Sequence, residues 1–240
     1  MYPFFAVLLL VREAPRNPAL SSIVAMIVFG ALGARILVTQ SQLISAQDTL
    51  EYDASHDALT GTCNRGAIFE ALGREILRQK RTNEALTVML ADIDHFKLVN
   101  DRNGHLVGDQ VLIEVARRLG SSMRSCDSLG RYGGEEFLVI LPNCSASGAM
   151  KAGERLRSVI DQAPAPTSAG PISIALSIGF ICVPDASCAA SSTLLLRLAD
   201  EALYQAKAKG RNRVERAEFP TEATLSRPAA AHFHALARGV

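Results

Sequence analysis

Arg131-Tyr132-Gly133-Gly134-Glu135-Glu136-Phe137-Leu138-Val139-Ile140-Leu141-Pro142 is the stretch on which the reading of this chain turns. Two adjacent glycines accept the positive φ values of a two-residue hairpin turn, and the apolar run after them has the length and composition of a strand. The stretch predicts a β-hairpin whose tip carries Glu135 and Glu136. Two carboxylates on one tight turn repel each other, and no Lys or His stands beside them in the sequence, so a divalent cation is the natural partner. Taken alone, the pair reads equally well as two solvated turn residues.

A second acidic segment lies upstream. Thr87-Val88-Met89-Leu90-Ala91-Asp92-Ile93-Asp94 is an apolar strand that ends in two aspartates one residue apart, followed by His95-Phe96-Lys97 and a polar turn. Carboxylates at the end of a buried strand are where a sheet presents metal ligands to a crevice.

These segments sit among others. Asn100-Asp101, Gly104-His105 and Gly108-Asp109 follow Asp92 to Lys97, and Ala202-Leu-Tyr-Gln-Ala-Lys207 with Gly210-Arg-Asn-Arg213 comes after the hairpin. In this order and spacing the set resembles the GGDEF family of diguanylate cyclases over about residues 53 to 215. The resemblance implies an enzyme that joins two GTP molecules into cyclic di-GMP with release of two pyrophosphates. It implies two Mg2+ or Mn2+ ions per site, held by Asp92, the backbone carbonyl of Ile93 and Glu135, with Glu136 assisting. It also implies phosphate contacts from backbone donors at His95, Phe96 and Lys97 and from the cations Lys207 and Arg211. Those two cations equally suit the C-terminal end of a helix dipole.

Guanine presents donors and acceptors that a carboxylate and an amide recognise, and Asn100 and Asp109 match the family's guanine-contacting pair. Beside Gly104 and Gly108 the same two residues also read as turn formers. Arg124-Ser-Cys-Asp127, six residues before Gly133, is on bare pattern an i, i+3 surface ion pair. By resemblance it is an inhibitory site for cyclic di-GMP. Two departures stand out: Cys63 replaces a common proline in Asp57-Ala-Leu-Thr-Gly61-Thr-Cys-Asn-Arg65, and Asn103 replaces an aromatic residue before Gly104-His105. Asp94 reads as structural.

Working outward, 240 residues suit one medium domain with an appendage, large enough to bury a core without disulfides or zinc. A net charge of +1 with dispersed Lys and Arg gives no case for nucleic acid. Five cysteines without a Cys-x-x-Cys spacing read as reduced thiols of a cytoplasmic domain. No Gly-x-x-x-x-Gly-Lys-Ser/Thr segment is present, so a P-loop is not the phosphate cradle.

The N-terminus is the apolar end. Residues 2 to 11 are too few to span a bilayer, and Pro15 and Pro18 interrupt the chain after them. Residues 19 to 38 are long enough and carry Arg35 near one end, so within 1–38 they form the expected single membrane crossing, a buried soluble helix being the alternative. That places the chain in a bacterial-type inner membrane with the catalytic domain in the cytoplasm. Ile36, Leu43 and Leu50 recur every seventh residue, so 39–54 reads as a helical stalk able to pair two chains, or as a helix packed on its own domain.

The catalytic domain is expected over 55–215 and a disordered tail over 216–240, where His232 and His234 read as solvated. Asn64 is placed to cap a helix from 66 to 82. A strand at 86–93, a loop at 94–105, a helix at 107–120, strands at 128–132 and 136–141, a helix at 146–162, a strand at 172–182, a helix at 192–208 and a short strand at 212–215 complete the pattern. The fold class is α+β, a central, mostly antiparallel sheet flanked by helices of the GGDEF or nucleotidyl cyclase kind, preceded by a membrane helix. The expected assembly is a homodimer. The alternatives are a catalytically silent module that binds GTP or cyclic di-GMP, and a cyclase of altered product.

Overall fold

The computed structural model describes residues 18–185 and 191–219. The apolar run 2–11, Cys188 and the residues after 219, including His232 and His234, lie outside the described residues. The chain divides into two compact units, Met1–Ala54 and Ser55–Val240.

The helix α1 (Pro18–Ser55), which lies in the first unit up to Ala54, is a single helix of 38 residues. The span expected at 19–38 and the stalk expected at 39–54 lie on this one helix, which no Pro or Gly interrupts after Gly33. The segment long and apolar enough to cross a membrane, by length and composition, is Ala25–Leu43. Ile27, Phe29, Leu37 and Leu43 on this helix are exposed.

The second unit contains α2 (Arg65–Thr82), β1 (Leu86–Ile93), α3 (Phe96–Asn103), α4 (His105–Ser121), β2 (Ser128–Arg131), β3 (Glu136–Pro142), α5 (Ala146–Asp161), β4 (Leu176–Val183), α6 (Ser192–Ala208) and β5 (Val214–Arg216). The strands form one sheet in the order β2-β3-β1-β4-β5. Every pairing is antiparallel except the parallel one between β4 and β5. The expected α+β class holds.

Strand periodicity divides the core into two layers. Met89, Ala91 and Ile93 of β1, with Phe137, Val139 and Leu141 of β3 and Ile178 and Phe180 of β4, bury one sheet face against α4 and α5. Their alternates Val88, Leu90, Leu138, Ile140 and Ile181 bury the other face against α2 and α6. Asn64 caps α2 as expected, its side chain accepting from the Ala67 amide.

Three expectations are corrected. The stretch 94–105 is not a loop but largely α3, an eight-residue helix between His95 at φ 58° and Gly104 at φ 84°; only Phe96 on it is buried, too few apolar residues to show a period. β4 begins at Leu176 and not at 172, because Ile172 instead bridges back to Ala165. Finally, the hairpin is not a two-residue turn: the amides of Tyr132 and Gly133 both donate to Glu136 O, at 2.8 and 3.2 Å, leaving Gly133-Gly134-Glu135 as the connection. Neither glycine is among the positive-φ residues. A Cβ on Gly133 would lie 2.4 Å from Glu136 Oε2, so a larger residue there would displace the Glu136 carboxylate.

One glycine sets the position of α6. A Cβ on Gly179 of β4 would stand 2.0 Å from Leu203 N and 2.3 Å from Ala199 O, so α6 lies with its backbone directly on the strand. That close approach brings the C-terminal turn of α6 over the end of β1.

Candidate active site

Strand register builds the centre of the site. Asp92 of β1 is the antiparallel partner of Glu136 of β3, and both belong to the alternating set that faces α6. Like charges directly opposite on neighbouring strands destabilise a sheet unless a cation intervenes. Here α6 supplies one: Lys207 Nζ lies 2.7 Å from Asp92 Oδ2. The inference that the hairpin acids lack a cationic neighbour is thus corrected, for the neighbour comes from 71 positions further along the chain than Glu136, through the fold.

Burial raises the proton affinity of Asp92, Lys207 opposing it. Glu135 is raised by burial and then by Asp92, again against Lys207. Glu136 is raised by burial and Asp92, with Asp200 adding to the effect and Lys207 and Arg65 opposing it. Asp200 is itself raised by burial. The site is a concentration of negative charge in search of positive charge.

The loop after α6 is held under backbone strain. Gly210, Arg211 and Asn212 all have positive φ, at 114°, 63° and 45°, which is uncommon for the two non-glycine residues. What holds them is Asp94: its Oδ2 accepts from the Asn212 amide at 2.9 Å and its Oδ1 from Ser177 Oγ at 2.7 Å. Asp94 is accordingly the structural residue expected, tying β1, β4 and this loop together. Arg157 of α5 adds a bond to Asn212 Oδ1 at 2.8 Å. In this conformation Arg211 acts on Asp92, lowering its proton affinity.

Around this centre, Phe96 and Lys97 open α3, so their amides are first-turn donors without helical partners and suit an anion. Asn100 near the end of α3 meets the start of α4 across Gly108, where a Cβ would lie 1.8 Å from Asn100 Oδ1. That Oδ1 is buried without a hydrogen-bond partner, and Asp109 follows Gly108 on the same turn. An unpartnered buried acceptor beside a partly buried carboxylate suits a polar ligand at this spot.

Arg124 and Asp127 form a separate turn. Asp127 Oδ2 accepts from the Arg124 backbone amide at 2.8 Å, and no side-chain ion pair joins the two among the described residues. The i, i+3 ion pair is therefore replaced by a backbone cap that leaves the Arg124 guanidinium exposed.

Several residues of the site had no sequence signal as site residues. Arg131 bonds Gly134 O through Nε at 3.2 Å and through its second terminal nitrogen at 2.8 Å, and it pairs with Asp57 at 3.2 Å, bracing the hairpin against the segment before α2. The Arg65 guanidinium lies over the Tyr132 ring, 4.8 Å from its centroid. Asp200 lies seven positions before Lys207, a helical spacing that places both on one side of α6.

The donor set fits a divalent cation held partly by a ligand. Among the described residues no three Asp, Glu, His or Cys side chains converge to hold an ion by themselves. Magnesium characteristically uses one or two carboxylates and takes the rest of its shell from phosphates and water, which is what Asp92 and Glu135 offer.

Residues 54–213 match the family described as "Diguanylate cyclase, GGDEF domain". The chain belongs to the GGDEF-domain family. The match covers β1 to β4 and stops just before β5. The chain is 40% identical over 159 residues to diguanylate cyclase DgcP of Pseudomonas aeruginosa, covering 66% of this chain and 23% of DgcP. It spans between 23% and 46% of the length of the curated relatives DgcP and YhcK. Among solved structures, the coiled coil and GGDEF domain of DgcB from Caulobacter crescentus, in complex with c-di-GMP, superposes with a TM-score of 0.68 at 31% identity, covering 78% of this chain and 100% of that one. The active GGEEF domain of a Vibrio cholerae diguanylate cyclase superposes at 0.60 with 32% identity over 65% and 97% of the two chains. This GGDEF domain likewise reads Gly133-Gly134-Glu135-Glu136-Phe137.

Proposed function

We propose that this protein is a diguanylate cyclase that condenses two GTP molecules into cyclic di-GMP and releases two pyrophosphates. The observation that carries the reading is the cross-strand pair of Asp92 and Glu136 with Glu135 on the adjoining hairpin, all acids retained and faced by Lys207. The relatives' names and the GGEEF domain of the Vibrio cholerae enzyme support it.

In this reading Asp92, Glu135 and the Ile93 carbonyl hold two Mg2+ or Mn2+ ions, with Glu136 beside them. When bound, the metal neutralises phosphate charge and polarises the α-phosphate. The chain's own residues do the rest. The first-turn amides of α3 and the cations Lys207 and Arg211 orient the triphosphate and take up the charge of the departing pyrophosphate. Asn100 and Asp109 select guanine, and Gly108 leaves the space they need. One GTP's 3′-hydroxyl attacks the α-phosphate of the other, its proton leaving to a carboxylate or water, and pyrophosphate departs; repetition in the opposite sense closes the ring.

A homodimer about a two-fold axis presents two GTP molecules in that way with one of each site per chain. The α1 helix anchors the protein in a membrane, and its exposed Ile36 and Leu43 pair two chains. Arg124 and Asp127 bind cyclic di-GMP and slow the enzyme. The test is incubation of the detergent-solubilised full chain with GTP and Mg2+, with chromatography of the nucleotides. Cyclic di-GMP is the expected product; binding of GTP without turnover makes the protein a silent binding module instead.

A further inference from the structure

The Lys207 contact does more than fill a charge deficit. Its Nζ lies 2.7 Å from Asp92 Oδ2, where the strand-end carboxylate would otherwise be open to a cation. The helix that carries it is fixed, because Leu203 N rests against Gly179 and the last turn closes with the Lys209 amide on Gln205 O. The side chain has more freedom than its base: a lysine is a compact charge on a flexible four-carbon stem, and Lys207 is a third exposed while Asp92 is buried. A rigid base with a mobile charged tip is the arrangement of a removable counter-ion.

We propose that Lys207 excludes free divalent metal from the nucleotide-free site, so that metal and nucleotide enter together. This rests on the reading of the site as a GTP site. A metal ion arriving alone must displace an ammonium from its carboxylate and leave that ammonium beside a doubly charged ion, with Arg211 close by as a further positive charge. A metal arriving with a triphosphate brings the ammonium a new partner. The nucleotide draws Lys207 off Asp92, and Asp92 becomes available to the metal. The chain thereby avoids holding a metal ion that could polarise water or stray phosphates in the absence of substrate. Metal and nucleotide affinities are then positively coupled, each raising the other by the same factor.

The experiment measures Mn2+ binding to the detergent-solubilised full chain by the paramagnetic resonance signal of free Mn2+, with and without a non-hydrolysable GTP analogue. Lys207→Gln and Lys207→Met remove the contact; Lys207→Arg keeps the charge; Lys209→Gln removes an equal charge two residues away whose Nζ is held by Glu215 at 2.7 Å. Without nucleotide, both neutral Lys207 variants should bind Mn2+ at least about tenfold more tightly than wild type, a difference of about 1.4 kcal/mol. Lys207→Arg and Lys209→Gln should stay within about twofold of wild type. The analogue should tighten Mn2+ binding in wild type by a factor at least about tenfold larger than in Lys207→Gln.

Unchanged Mn2+ affinity in Lys207→Gln and Lys207→Met overturns the proposal, as does an equal gain in Lys209→Gln, which would reduce the effect to net charge. The functional reading is separable. Cyclic di-GMP formation with no change in Mn2+ affinity defeats the counter-ion alone, whereas the predicted Mn2+ pattern without any cyclic di-GMP defeats the cyclase reading alone.

Discussion

Glu135 and Glu136 occupy positions where burial and Asp92 favour their protonated forms. An acid whose folded-state proton affinity is raised contributes stability in its protonated form, present below its ordinary range and lost as pH rises through the raised folded value. Above that raised range the metal-free domain bears the penalty of the charged form. Glu135→Gln should raise the melting temperature of metal-free protein at neutral pH by on the order of a degree or two, and the gain should vanish as pH falls below the ordinary glutamate range. If Glu135 holds metal as proposed, the same variant should lower turnover by about a hundredfold or more, because it removes a ligand charge without removing volume. Calorimetry across pH and a rate assay check the two halves. Equal melting temperatures at neutral pH would contradict the electrostatic description of the hairpin. Gly108 gives a second case at this scale: Gly108→Ala must push Asn100 aside and should weaken guanine-nucleotide binding by about tenfold or more, measured by calorimetric titration, at a stability cost of about 1–3 kcal/mol.

Among elements, α6 decides whether the acids and their cation meet. Gly179→Ala places a methyl group against the backbone of that helix, which no rotamer change relieves, so a loss of about 3 kcal/mol or more is expected in denaturant unfolding. A variant of wild-type stability would mean that α6 is free to slide, and Lys207 with it. Much at this scale was legible in the sequence. The long helices and β1 and β3 follow apolar patterning, and Asp92 and Glu135 stood out as candidates because a strand end and a hairpin tip are local features. α3 was not legible, since Lys97, Asn100, Asp101, Arg102 and Asn103 leave it one buried residue and no apolar stripe. Nor was the closeness of Gly133 to the Glu136 carboxylate, which involves no positive φ. The Asp57–Arg131 brace spans 74 positions and the Asp94–Asn212 bond spans 118, and no local pattern marks either.

For the whole molecule, the continuous α1 helix and the catalytic domain are joined in one chain, and the proposed chemistry needs two of them. Specific activity of the detergent-solubilised protein should rise with its concentration until the dimer is saturated; a constant value with a monomer on sizing would contradict the two-fold mechanism. Arg124→Ala should leave the initial rate nearly unchanged and abolish the slowing as product accumulates, since the exposed Arg124 guanidinium is free in the described structure to meet a ligand; progress curves decide it. The most direct measurement follows both products in one tube by phosphorus resonance, with wild type and Asp92→Asn side by side. Two pyrophosphates per cyclic di-GMP from wild type, and neither from a folded Asp92→Asn protein, is the predicted result. Any other nucleotide product, or an unchanged yield from Asp92→Asn, would contradict it.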